Sequence, residues 1–268
     1  MSAGRLTLTL LLAFATVPFG WALAASLVPE VALFGDGAPW RGGLTLEHWR
    51  ALFYTRDFWL PIRNSVIVAS ATTAVCLVIG TLAALALARL RFRGRSAVLG
   101  LVLAVAMFPQ ISIVSPLYLL LRRLGLIDTF PGLVLPYVTF ALPLAVWLLT
   151  SFLRELPADL EEAALVDGAS RFQALTRIVL PLAAPAIATT GILTFIYCWN
   201  EFLFALSFTL GPDRQTVPVA IALFRGQYQV PWGEILAAAT VATAPVALMV
   251  LLFQRRIVQG LTSGAVKG

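Results

Sequence analysis

Residues 156–181 read LPADLEEAALVDGASRFQALTRIVLP. This stretch predicts two short helices around a turn. Pro157 suits a first helical turn, because a helix start has no use for its missing N–H. Asp159, Glu161 and Glu162 follow, where acids meet the positive end of a helix favourably. Gly168 supplies the left-handed conformation that ends a helix. Ser170 then caps the next helix, with Gln173 three residues on to complete a capping box. Pro181 marks a turn back towards the next segment. Leu160, Ala163, Ala164 and Leu175 leave small apolar knobs on a hairpin too short to be stable alone. It therefore needs a neighbour, either the helices around it or a separate protein.

Those flanking helices are apolar. The 268-residue chain is 60% hydrophobic and 12% charged, against roughly 45–50% and about 25% in soluble domains. Its mean hydropathy is +0.90. So few charges cannot cover a water-facing surface, and the chain reads as an integral membrane protein. Crossing about 30 Å of hydrocarbon takes roughly 20 apolar residues. Six spans are predicted, near Leu6–Val28, Ser65–Ala88, Ala97–Leu121, Gly132–Leu153, Ala183–Leu210 and Ile235–Phe253. The expected architecture is a single all-α polytopic domain over residues 1–268, with an external segment at 29–63, a cytoplasmic loop at 154–182 and a tail at 254–268. The first span has a second reading: Arg5, an apolar run and Ala22-Leu23-Ala24 also resemble a cleavable signal peptide.

Orientation follows from arginine. The loop between spans 2 and 3 carries Arg89, Arg91, Arg93 and Arg95, close to two helix ends, where the positive-inside rule acts most strongly. This puts both termini and the 154–182 loop in the cytoplasm. The net charge of +6 then reflects topology rather than nucleic-acid binding. The external segment places Leu46, Trp49, Leu52 and Phe53 on one helical face. That face suits either the membrane surface or a partner subunit. Prolines recur at 109, 116, 136, 143, 185 and 245, and kinked helices suit a transporter or channel.

Catalytic chemistry finds little footing. Cys76 and Cys198 sit in apolar runs with no zinc or CxxC spacing, and His48 is the single histidine. HExxH, GxSxG and the ATP-binding pattern GxxxxGK[ST] are absent, so no cofactor or metal is expected in this chain. Asn200 and Glu201, beside Trp199, fall inside span 5. A carboxylate at that depth is costly and faces a cavity or a partner. The three residues line a translocation path or its gate, with Trp199 able to stack on a sugar ring. The alternative is a hydrogen bond between helices. An ion-coupled secondary transporter would be expected to show coupling-ion sites, often in paired broken-helix repeats; this sequence has one strong internal acid and no repeat.

Glu162-Ala163-Ala164, three residues, Gly168, nine residues, then Ile178-Val179-Leu180-Pro181 matches the EAA loop of ABC-importer membrane subunits at every specified position. Asn64-Ser65 and Trp199-Asn200-Glu201 resemble the carbohydrate-permease group. The tail from Gln254 resembles the second membrane subunit of maltose and trehalose importers, and residues 130–144 look closest to the actinobacterial trehalose type.

The resemblance implies a type I importer permease fold with six transmembrane helices and a cytoplasmic coupling-helix hairpin in a bacterial inner membrane. It implies a second homologous permease subunit, two ATPase subunits that bind ATP and Mg, and an extracytoplasmic sugar-binding protein. The substrate would be a disaccharide: trehalose first, then maltose, another α-glucoside or glycerol-phosphate. Glu161, Glu162, Ala163, Ala164, Asp167, Gly168 and Ala169 would dock in a cleft of the ATPase. The tail, Ser263, Gly264, Ala265, Val266, Lys267 and Gly268, would reach between the two ATPases. By its short side chains alone it reads as a frayed terminus.

Overall fold

The computed structural model describes residues 3–35, 42–90, 92–157, 159–224 and 230–262, the last eight by backbone alone. The described residues are helical, with short connections and no strand. Five helices are long and apolar enough to cross a membrane, or six if one bent pair counts as a span.

The centre is built from α4 (Trp59–Arg89), α7 (Phe130–Glu155) and α10 (Leu180–Trp199). Small residues let these helices approach closely, as membrane packing requires in the absence of a hydrophobic drive between helices. A β-carbon on Gly80 would touch Ala145 and Leu149, and one on Gly191 would press on Leu77 at 3.1 Å. Ala84, Leu85, Leu149, Leu153, Val179 and Ala183 form a buried cluster at the end of these helices next to the 154–182 loop. A larger cluster around Tyr137, Phe204 and Phe208 fills the opposite half.

The stretch expected as one span over Ala97–Leu121 is two helices, α5 (Arg95–Ala106) and α6 (Gln110–Arg123), bent by 87°. Pro109 stands before α6 in an extended conformation, ψ 113°, and its missing N–H ends the preceding ladder. Pro116, Pro136, Pro143, Pro185 and Pro245 lie inside continuous helices. Among the described residues, one proline site in this set carries a sharp bend.

The segment after α1, expected to be external, docks on its own chain. α3 (Glu47–Arg50) runs into a wide π turn over Ala51–Thr55. Leu52 is buried with Phe58, Trp199, Val217, Ala237 and Ala238. His48 Nε2–H donates to the Val28 carbonyl at 2.9 Å and Trp49 Nε1–H to Ser26 Oγ at 3.1 Å. Leu52, with Trp49 and Phe53 partly buried beside it, therefore packs on α13 (Trp232–Thr262), while Leu46 stays exposed. Glu30, at the start of α2 (Glu30–Leu33), accepts the N–H groups of Trp232 and Gly233 at 2.9 and 3.0 Å. Arg56 and Glu234 pair at 2.8 Å beside them. Two orphan donors at the α13 N-terminus are thus satisfied by a carboxylate about 200 residues earlier. The N-terminal helix α1 (Ala3–Ser26) lies along α13.

Candidate functional site

The hairpin begins with α8 (Asp159–Val166). Gly168 adopts φ +86°. Its N–H donates to Leu165 at 3.1 Å, and the Ala169 N–H donates to Ala164 at 2.9 Å. These two bonds make a Schellman ending, which requires a left-handed residue at the glycine position. Ser170 restarts the chain at once. Its Oγ accepts from the Gln173 N–H at 3.3 Å, and Gln173 Oε1 accepts from the Ser170 N–H at 2.8 Å. The capping box opens α9 (Arg171–Ala174).

The chain does not turn at Pro181. From Arg171 it runs as one 29-residue helix to Trp199. Residues Leu175–Val179 form a π turn in which the Leu180 N–H donates to the Leu175 carbonyl. Pro181 has no N–H for the carbonyl four residues back and its ring crowds that position. The wider turn just before it absorbs the mismatch. The second arm of the hairpin is therefore the root of span 5, and a displacement of the hairpin acts directly on that span.

Burial sorts the hairpin side chains. Ala164 and Ala174 face inward, and Glu161 is half-buried. Glu162, Ala163, Asp167 and Gly168 are exposed, and Ala169 is partly so. Two exposed apolar residues join them: Val166 at 87% and Phe172 at 73%. The expected knobs Ala164 and Leu175 are instead part of the packing. Glu161 is already engaged, because its carboxylate pairs with Arg89 Nε at 2.5 Å. Arg89 Nη1 also donates to the Leu156 carbonyl at 3.1 Å.

The break after α10 holds the second candidate group. Trp199 is 3% exposed, stacks on Phe195, and donates its indole N–H to the Ala242 carbonyl at 3.1 Å. It ties α10 to α13, and its remaining surface borders the same cleft as Asn200. Glu201 lies beyond the last turn rather than within the span. Its buried carboxylate accepts the N–H groups of Phe204 and Ala205 at 2.8 and 3.2 Å. It caps the short helix α11 (Leu203–Phe208), which follows the break. Asn200 alone of the three is exposed. Its Nδ2 donates to Ile196 at 2.8 Å, and it lines a cleft of about 400 Å³ with Phe19, Pro218, Ile221 and Thr243.

Asn64 and Ser65 explain their own pattern. Asn64 Nδ2 donates to the carbonyls of Asp213 and Gln215 at 2.9 and 3.0 Å, and Ser65 Oγ accepts the Val217 N–H at 2.9 Å. Both are buried, and they fasten the turn that precedes α12 (Val217–Ala222) to α4. No group of three or more Asp, Glu, His or Cys side chains converges among the described residues. The tail residues 263–268 lie outside the described residues.

A helical membrane core with a capped hairpin feeding its fifth span fits a transporter permease, and the family match shows that class. The chain belongs to the family described as binding-protein-dependent transport system inner membrane component, whose pattern matches residues 76–263. It is a permease subunit rather than an enzyme. It is 47% identical to the trehalose transport system permease protein SugB of Mycobacterium tuberculosis, over 97% of this chain and 95% of that one. It is 43% identical to the trehalose/maltose transport system permease protein MalG of Thermococcus litoralis, over 94% and 91%. The sulfoquinovosyl glycerol transport system permease protein SmoH of Agrobacterium fabrum is 40% identical, over 97% and 92%. The fold matches a chain of a bacterial ABC transporter that imports alginate, with a TM-score of 0.77, 21% identity and 94% coverage of both chains.

Proposed function

We propose that this chain is one transmembrane subunit of an ATP-driven disaccharide importer, with trehalose as the substrate, and that the 154–182 hairpin is its coupling element. The observation that carries the coupling is the hairpin itself. A capped turn displays Glu162, Ala163, Asp167 and Gly168 outward, on the arm that becomes span 5. ATP hydrolysis belongs to two separate ATPase subunits. The exposed Val166 and Phe172 give their cleft an apolar contact, and Glu162 and Asp167 give it charge. Ala163 and Gly168 permit close approach. Glu161 acts within the subunit instead.

Trehalose is favoured by the names of the relatives at 47% and 43% identity. A second homologous permease completes the path, and an extracytoplasmic binding protein delivers the sugar. Both termini lie in the cytoplasm, and the tail Ser263–Gly268 contacts the ATPases. Deleting this gene and restoring it tests the substrate. Uptake of labelled trehalose is expected to disappear and return, while maltose, sucrose and glucose uptake stay level. Loss of a different solute, maltose or a glycerol conjugate for instance, keeps the mechanism and replaces the substrate. Unchanged uptake of every sugar, in a strain with no redundant importer, would remove the carbohydrate assignment.

The break at Asn200–Glu201 is assigned to the gate, with Asn200 facing the path and Glu201 holding the bend. Asn200→Ala should lower uptake with normal assembly, since it removes an exposed amide whose one bond, to the Ile196 carbonyl at the end of α10, is local to its own helix. Glu201→Gln removes one of two carboxylate acceptors and costs about 1–3 kcal/mol. It should lower both uptake and thermal stability. Wild-type uptake and assembly in both variants would take the path away from these residues.

A further inference from the structure

We propose that Arg89 is a positioning residue that clamps the hairpin to the cytoplasmic end of α4, so that α4 and the hairpin move as one body when the ATPases close. This rests on the coupling reading above.

Arg89 is the last residue of α4. Its guanidinium holds two points on the hairpin at once: the Glu161 carboxylate at 2.5 Å and the Leu156 carbonyl at 3.1 Å. Leu156 is the link between α7 and α8, and Glu161 lies in the first turn of α8. One side chain therefore ties the hairpin at two points, by an ion pair to Glu161 and a hydrogen bond to Leu156, and a guanidinium reaches both where an ammonium carries its charge at one. Both partners are partly shielded, with side chains 18% and 27% exposed, so water screens the pair less than an open surface bridge. Arg5, Arg93, Arg95, Arg154, Arg171 and Arg177 are all exposed; Arg89 is the cytoplasmic-side arginine, among described side chains, that turns inward.

Beneath the pair, Leu85 of α4 packs with Leu153 of α7 and Val179 at the root of span 5, and Leu156 and Leu175 border the cluster. The ion pair and this floor grip the hairpin from two sides. Without the pair, the hairpin keeps its covalent route into span 5 but loses its rigid route into α4. Since α4 shares its most extensive interface with α7, the clamp delivers one displacement to three spans.

The test uses the complete importer reconstituted in lipid nanodiscs, with its ATPases and its sugar-loaded binding protein. The readout is the ratio of ATPase activity with and without binding protein, and sugar moved per ATP in vesicles. Arg89→Gln and Glu161→Gln are each expected to reduce the stimulation ratio about fivefold or more. Arg89→Lys should fall between wild type and Arg89→Gln. Arg89→Glu combined with Glu161→Arg should recover much of the loss, which a merely structural arginine would not allow. A second measurement joins Arg89→Cys to Glu161→Cys with a bifunctional thiol reagent. The cross-linked importer is expected to keep transporting; arrest on cross-linking would mean that hairpin and α4 must separate, and would overturn the clamp. Gly168→Asp runs beside these variants. Normal coupling in Arg89→Gln with lost coupling in Gly168→Asp overturns the clamp alone. Normal coupling in both overturns the hairpin reading beneath it.

Discussion

A Gly168→Asp subunit is expected to insert, assemble its membrane core and yet carry no sugar. Gly168 sits at φ +86°, where an L-residue costs about 1–2 kcal/mol, and aspartate is among the residues that tolerate this region best. A β-carbon at this position would meet nothing within 4 Å. The subunit itself therefore has room for the change. What the change alters is the outward surface, where it adds a charge and bulk beside Asp167 at the point proposed to enter the ATPase cleft. Uptake should fall to the level of the deletion strain, with wild-type amounts of the subunit in the membrane and ATPase activity no longer stimulated by loaded binding protein. Glu162→Lys should act in the same direction, because Glu162 is exposed and makes no ion pair among the described residues. Normal uptake by a well-expressed Gly168→Asp variant would remove the hairpin from the coupling route.

The second large effect concerns stability. Asn64→Leu is expected to destabilise the subunit by about 1–3 kcal/mol, since the carbonyls of Asp213 and Gln215 lose the buried Asn64 amide as their donor. Asn64→Asp sharpens the test. It keeps the volume but replaces a donating amide by a carboxylate facing two carbonyl oxygens. Both variants should lower the thermal midpoint of the detergent-solubilised importer and the yield of assembled subunit, with Asn64→Asp no better than Leu. A midpoint equal to wild type in both would mean that the turn at 212–214 is held by other contacts.

The comparison of these two sites shows what the sequence made legible. The hairpin could be read because its signals are local. Gly168, Ser170 and Gln173 act within a few residues of one another, and each dictates one hydrogen bond. The all-α membrane architecture was equally open, because apolar length alone decides it. Long-range pairings were not. Arg89 and Glu161 are 72 residues apart, and Arg89 reads first as a topology signal within an arginine cluster. Of the face Leu46, Trp49, Leu52 and Phe53, the last three pack and Leu46 stays exposed; periodicity names no partner, and within the chain the partner is α13. Six proline positions looked alike. Pro109 breaks its helix because it follows the end of α5 in an extended conformation, whereas the others keep their helices continuous within packed spans. Trp199 read as a sugar platform because an indole beside polar residues has that chemistry; its N–H bond to Ala242, 43 residues on, is a long-range tie that local sequence does not announce.

The carboxylate of Glu30 and the guanidinium of Arg56 have a further consequence for biogenesis. Their partners at Trp232, Gly233 and Glu234 lie 202, 203 and 178 residues further along the chain. At about 5–20 residues per second a ribosome takes roughly 10–40 s to cover that interval. Through all of it the external hook waits with charged groups unmatched, and His48 waits for the glycine against which its ring will lie. The last helix to leave the ribosome closes the first loop made. A chain stalled before residue 232 would therefore leave Glu30 and Arg56 without these partners.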